Sequence, residues 1–176
     1  DQVYPTDKTT PDAKDLQDLF ARMVEAGCEY AVMEVSSHAL DQHRTGNIHF
    51  DLAVFTNLTQ DPLDYHKKME QYFNAKKKLS KMHDIGIINI DDPYGIRLSM
   101  MAKCVVFTYS VSNAKADFFA SHIESEPGGV SFRLECNNIK SRVDFPMPGL
   151  YSVQNALAAA AVCREVGISI EKIIES

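Results

Sequence analysis

None of the eight glycines begins a G-x-x-x-x-G-K-[ST] loop, so this 176-residue chain supplies no phosphate-cradling P-loop. Cysteine is also sparse. Cys28, Cys104, Cys136 and Cys163 stand far apart, show no C-x-x-C spacing and fall mostly in apolar surroundings, where a reduced thiol packs as a small hydrophobe. That usage suits a cytoplasmic protein. His43, His49, His83 and His122 stand in no H-x-x-x-H or H-E-x-x-H relation, which makes zinc chemistry a poor fit. The formal charge is −6, and the only dense basic run is Lys76-Lys77-Lys78, which argues against a nucleic-acid partner held by its phosphates. No stretch approaches the roughly eighteen continuous apolar residues of a membrane span, so no membrane insertion is expected. The start, DQVYPTDKTT, has neither an initiator Met nor a signal layout, and the last segment runs off the end without a stop signal. Both ends read as cuts in a longer chain.

What is present is an alternation of apolar runs and helical patterns in a chain long enough for one domain with its own core. Thr10-Pro11-Asp12 reads as an N-cap, a first-turn proline and a dipole-compatible acid. Leu16, Leu19, Phe20, Met23 and Val24 then recur on one helical face before Gly27. Short apolar runs at Tyr30 to Val35, Leu52 to Thr56, Ile85 to Ile90 and Cys104 to Thr108 read as strands, with helices around residues 65 to 80 and 93 to 101 between them. This predicts an α/β fold with a mainly parallel, doubly wound sheet over about residues 1–113. From about 114 to 147, Val130, Phe132, Leu134 and Cys136 alternate with polar residues between turn signals at Gly128-Gly129 and Asn137-Asn138, which predicts a small antiparallel meander. From about 150 to 176 the chain reads as helical: Val153 to about Val166, stopped by Gly167, then a segment capped by Ser169.

Three places combine residue types that can do chemistry. At about 100° per residue, Tyr65, Met69, Tyr72, Phe73 and Leu79 align on one stripe with Lys76 near its middle. A lysine there must snorkel, find an anion or lose its charge; a neutral amine can take up carbon dioxide as a carbamate, an anion able to bind Mg²⁺. Glu34 falls at the expected C-terminal end of a parallel strand, the edge where open α/β sheets place ligands, or just beyond it in solvent. Asp61, Asp64 and His66 follow the next strand at that edge, either as ligand-facing groups or as a polar loop around Pro62, with Asp64 better placed to cap the helix near Tyr65. Lys8-Thr9-Thr10 precedes a helix N-terminus, a natural anion site. Ser36-Ser37-His38 lacks the G-x-S-x-G elbow, so a hydrolase triad carries little weight.

Taken together, several of these stretches are similar to the central domain of the Mur ligases, in particular the tripeptide-synthetase branch. They are Thr9-Thr-Pro11, MEVSSHALDQHR from Met33 to Arg44, AVFTNLTQDPLDYH from Ala53 to His66, MEQYFNAKKKL from Met69 to Leu79, INIDDPYG from Ile88 to Gly95 and MPGLYSVQNALAA from Met147 to Ala159. The order is collinear over nearly the whole chain. The resemblance implies a piece of an ATP- and Mg²⁺-dependent amide-bond ligase of peptidoglycan synthesis, working through an acyl phosphate. Its substrates would be UDP-N-acetylmuramoyl-L-alanyl-D-glutamate and either meso-diaminopimelate or L-lysine. It further implies that Thr9, Thr10, Ser36, Gln42 and Arg44 contact the UDP-muramoyl-dipeptide. Glu34 and a carbamylated Lys76 would bind metal, and Asn155 would lie near the nucleotide base. The partners in the longer chain would be an N-terminal UDP-binding domain and a C-terminal domain that selects the amino acid. Where the family usually reads R-D-H-L-D-Y-H, this chain has Gln60-Asp-Pro-Leu-Asp-Tyr-His66, so Pro62 replaces the histidine that helps hold Mg²⁺. A non-catalytic muramoyl-peptide-binding homologue, or another acid-amino acid ligase of the superfamily, is the alternative. The 176-residue piece alone is expected to be inactive.

Overall fold

In the computed structural model, which describes residues 3–4, 6–57, 69–79 and 82–175, three of the four apolar runs meet as parallel neighbours. They are β1 (Phe50–Phe55), β2 (His83–Asn89) and β3 (Val105–Ser110), in register Leu52↔Ile85 and Ile85↔Val105. Three more strands, β4 (Phe118–Glu126), β5 (Gly129–Cys136) and β6 (Ile139–Phe145), form the meander and continue the same six-stranded sheet, so strand order follows chain order. β3 and β4 are parallel but share only the pairs Tyr109↔Phe118 and Ser110↔Phe119. A parallel crossover normally needs a dozen or more residues; the short link here lets β4 start only where β3 is ending.

The turns obey their local chemistry. Asn137 and Asn138 both adopt positive φ, 46° and 65°, as a type I′ hairpin turn between β5 and β6 requires. A register shift between Ser121 and Glu124, with His122 at φ 49°, marks a bulge in β4.

The chain forms two compact units: Asp1–His49 with Gln60–Met82, and Phe50–Thr59 with His83–Ser176. The second holds the sheet. Its core lies under α5 (Leu150–Glu165), whose Val153, Leu157, Ala160 and Ala161 form a buried stripe at helical spacing and whose alanines let it approach every strand. Each fully buried Leu or Val there contributes about 1.5–3 kcal/mol. α6 (Ile170–Glu175) follows and anchors Ile170 in the same core. In β2, Ile85 and Ile87 face that core, while Gly86 and Ile88 alternate to the opposite face. α4 (Pro93–Met101) packs against β2, capped by Asp92, whose carboxylate accepts from the amides of Tyr94 and Gly95.

The first unit holds α1 (Ala13–Glu25), α2 (Ser37–Asp41) and α3 (Met69–Leu79). α1 ends where expected, with Gly27 at φ 76° and the Cys28 amide returning to the Met23 carbonyl. Two expectations are corrected. The N-cap of α1 is Asp12, not Thr10, because the Thr10 hydroxyl is committed to bonds with a distant segment. The run Tyr30 to Val35 is not a strand. It has no assigned secondary structure, no described residue pairs with it as a strand, and Tyr30 and Val32 are 66% and 95% exposed. A strand exists only when a neighbour completes its ladder, and the sheet's order begins at β1.

Candidate functional site

Seven of the candidate residues belong to the first unit, and hydrogen bonds draw most of them onto one short segment. Thr10 is buried. Its hydroxyl donates to the Glu34 carbonyl at 2.9 Å and accepts from the Ser36 amide at 3.0 Å, so it spans the backbone on both sides of Val35. Lys76, on α3, donates its Nζ to the Val35 carbonyl at 3.0 Å. Of the options open to a lysine in an apolar stripe, half-buried Lys76 therefore reaches a backbone oxygen, while Phe73 one turn earlier is buried. Glu34 is exposed and its carboxylate has no partner among the described residues. Ser36 is the N-cap of α2, its Oγ accepting from the Ala39 amide at 3.1 Å. That accounts for the Ser36-Ser37-His38 run as a helix start.

Arg44 closes the network from the other side. It donates Nη1 to the Thr10 carbonyl at 2.9 Å and Nη2 to Gln42 Oε1, and its Nε lies 3.2 Å from Asp12 Oδ1. Thr9, next to Thr10 in sequence, is exposed. Asp12 also receives both hydrogen bonds of Lys8, at 2.9 and 2.7 Å; that bond first, and the charges of Lys8 and Arg44 with it, hold its carboxyl below the usual aspartate range. Asp61, Pro62, Asp64, Tyr65 and His66 lie outside the described residues, as do the side chains of Met69 and Tyr72. Among the described residues no group of three or more His, Cys, Asp or Glu is placed to hold a metal ion.

Asn155 belongs to the second unit, exposed on α5. Its neighbour Gln154 leads to a cluster that the sequence reading missed. Asp91 stands just past β2 and accepts from Ser110 Oγ and Ser112 Oγ, both at 2.5 Å, from the Val111 amide at 2.8 Å, from the Ser112 amide at 3.2 Å and from Gln154 Nε2 at 3.4 Å. Burial pushes its carboxyl up, but the bonds from Ser110, Ser112, Val111 and Gln154 outweigh this and hold it below the usual range. Asn89 is buried beside it, donating to the Thr56 carbonyl at 2.7 Å and accepting from the Asp91 amide at 2.9 Å. Tyr109 is pushed up by burial and by the nearby Asp91 and Asp92. The loops after β1, β2 and β3 are thus pinned together at the carboxyl edge of the parallel strands, where such sheets receive ligands. The available signal was Asn89-Ile-Asp-Asp-Pro93, a strand end running straight into an Asp-Pro helix start.

The Mur ligase middle domain model matches residues 2–163. The UDP-N-acetylmuramoyl-L-alanyl-D-glutamate--2,6-diaminopimelate ligase of Caldanaerobacter subterraneus subsp. tengcongensis is 44% identical over 177 aligned residues, covering 100% of this chain and 36% of that protein. The ligase of the same name from Gloeobacter violaceus is 45% identical over 168 residues, 94% of this chain and 34% of that protein. A solved structure of a ligase so named superposes with a TM-score of 0.88 at 28% identity, over 95% of this chain and 36% of the other. MurF from Acinetobacter baumannii superposes with a TM-score of 0.65 at 25% identity, over 71% of this chain and 28% of the other. The chain therefore spans about a third of the length of the curated relatives it matches.

Proposed function

Since this chain belongs to the Mur ligase family, we propose that it is part of the middle domain of an ATP-dependent ligase. That ligase joins 2,6-diaminopimelate to the D-glutamate of UDP-N-acetylmuramoyl-L-alanyl-D-glutamate, the substrates in the names of its relatives. One observation supports this reading above the rest: Thr10 and Lys76, far apart in sequence, bond to the consecutive carbonyls of Glu34 and Val35. Side chains that the family resemblance assigns to a substrate and to a metal are thereby held around one segment.

In this reading ATP transfers its γ-phosphoryl group to the glutamate carboxylate, releasing ADP. The incoming amine attacks the resulting acyl phosphate, loses its proton and expels phosphate from a tetrahedral intermediate. Arg44, Gln42, Ser36 and Thr9 hold the muramoyl-dipeptide, while Thr10, buried with its hydroxyl committed to Glu34 and Ser36, braces their segment; Asn155 serves the nucleotide base. Glu34, whose carboxylate has no partner among the described residues, offers oxygens of the type that Mg²⁺ takes, and Lys76 would offer oxygens once carbamylated; the ion would neutralise charge on the transferring phosphoryl group. The P-loop, the UDP-binding domain and the amino-acid-selecting domain come from the rest of the protein. The reaction belongs in the cytoplasm, with which the four free cysteines agree. Among the described residues no helix is long and apolar enough to cross a membrane.

The test is a ligation assay of the full-length protein with diaminopimelate and lysine in competition, reading ADP and amide product, with Pro62→His in parallel. Diaminopimelate amide is expected to dominate. Absence of amide product with either amine, in both proteins, overturns the reading.

A further inference from the structure

Asp12 occupies the N-cap of α1, the place where an aspartate normally accepts from the helix's own first amides, yet its side chain makes no capping bond. The carboxylate turns instead to Lys8 and Arg44. Both hydrogen bonds to the carboxylate come from Lys8, and Arg44 adds an ion pair through Nε at 3.2 Å. Arg44 is the more buried partner, with a side chain 15% exposed against 55% for Asp12. A guanidinium carries five N–H groups in one plane. Here Nε faces Asp12, one N–H of Nη1 goes to the Thr10 carbonyl and one of Nη2 goes to Gln42. Each terminal nitrogen keeps a second N–H that has no partner among the described residues. Two such N–H groups on one charged plane are donors of the kind that carboxylates and phosphates accept.

We propose that Asp12 is the positioning residue for Arg44: it gives up capping α1 in order to fix the guanidinium plane, so that the two remaining N–H groups are presented to an acidic group of the nucleotide-linked substrate. This rests on the proposed ligase reading, in which Arg44 contacts that substrate. Thr10 and Gln42 complete the hold on Arg44, and Lys8 shares the carboxylate.

The sign of one substitution separates positioning from simple charge. Removing an acid beside an anion-binding arginine strengthens the local positive field, so electrostatics alone predicts tighter binding in Asp12→Ala. Loss of positioning predicts weaker binding. The experiment measures calorimetric Kd for UDP-N-acetylmuramoyl-L-alanyl-D-glutamate, together with KM and kcat, in full-length wild type, Asp12→Ala, Asp12→Glu, Arg44→Ala and the double variant. The expected result for Asp12→Ala is a Kd and KM about fivefold higher, the factor matching the upper worth of an exposed ion pair. Its kcat and KM for ATP should stay within about twofold, and Asp12→Glu should recover most of the loss. The double variant should bind no worse than Arg44→Ala, since without the guanidinium there is nothing left to orient. Unchanged or tighter binding in Asp12→Ala, or a double variant weaker than Arg44→Ala by the full Asp12 factor, overturns the proposal while leaving Arg44 as a contact. If Arg44→Ala itself binds normally, the substrate reading of Arg44 fails and the proposal falls with it.

Discussion

At the scale of single residues, this protein repeatedly spends short polar side chains on distant backbone. The Thr10 hydroxyl serves Glu34 and Ser36, and the Asn89 amide serves Thr56 and Asp91. Asp91 is the extreme case, a half-buried carboxylate that gathers donors from the loop after β3 and from α5. Because its carboxyl lies below the ordinary aspartate value of 3.8 in the folded state, its contribution is fully present above that value and is lost as pH falls through the folded one. Asp91→Asn should therefore cost about 1–2 kcal/mol at pH 7, after allowing for partial solvent screening. The cost should shrink as pH drops below the aspartate range. Calorimetric Tm of wild type and variant, compared from pH 7 down to pH 3, checks this; a gap that stays constant with pH would falsify the assignment.

Among the elements, the packing of α4 on β2 gives the sharpest contest between a local preference and a tertiary contact. Alanine is better than glycine inside a helix by about 1 kcal/mol, which favours Gly95→Ala. A Cβ at Gly95, however, would sit 1.8 Å from the Asn89 carbonyl oxygen, a backbone atom that cannot swing aside. Overpacking of this kind costs about 3 kcal/mol or more, so sterics should win. Gly95→Ala is expected to lower the denaturation midpoint clearly, whereas Met100→Ala, on the same helix at an 81% exposed position, should leave it nearly unchanged. Equal midpoints for the two variants would contradict the close approach. The displacement should also be felt at the site edge, because Asn89 is the last residue of β2 and is tied to Asp91.

For the molecule as a whole, the decisive quantity is how much of its relatives it spans, 36% of the Caldanaerobacter ligase. Ligation needs a phosphate-cradling loop, and none of the eight glycines begins one. Residues 1–176, expressed alone, are accordingly expected to release no phosphate from ATP and to form no amide. A malachite-green assay against a vector control checks this, and turnover by the purified piece would refute it.

Much of the architecture was legible from residue order alone, because runs of apolar residues, caps and turn formers act over a few positions. Asn137-Asn138 could be read as a turn, Gly27 as the end of α1 and Ser169 as the start of α6 without knowing any neighbour. The candidate residues Thr10, Glu34, Ser36, Gln42, Arg44 and Lys76 could likewise be named from the family's motifs. What local order could not decide was which partners these groups would meet. Tyr30 to Val35 has strand composition but no ladder partner among the described residues, Thr10 has cap chemistry but a tertiary hydroxyl bond, and Asp91 looked like one more loop acid. Strand pairing and the satisfaction of buried polar groups depend on atoms that are distant in sequence, so tertiary structure alone assigned those roles.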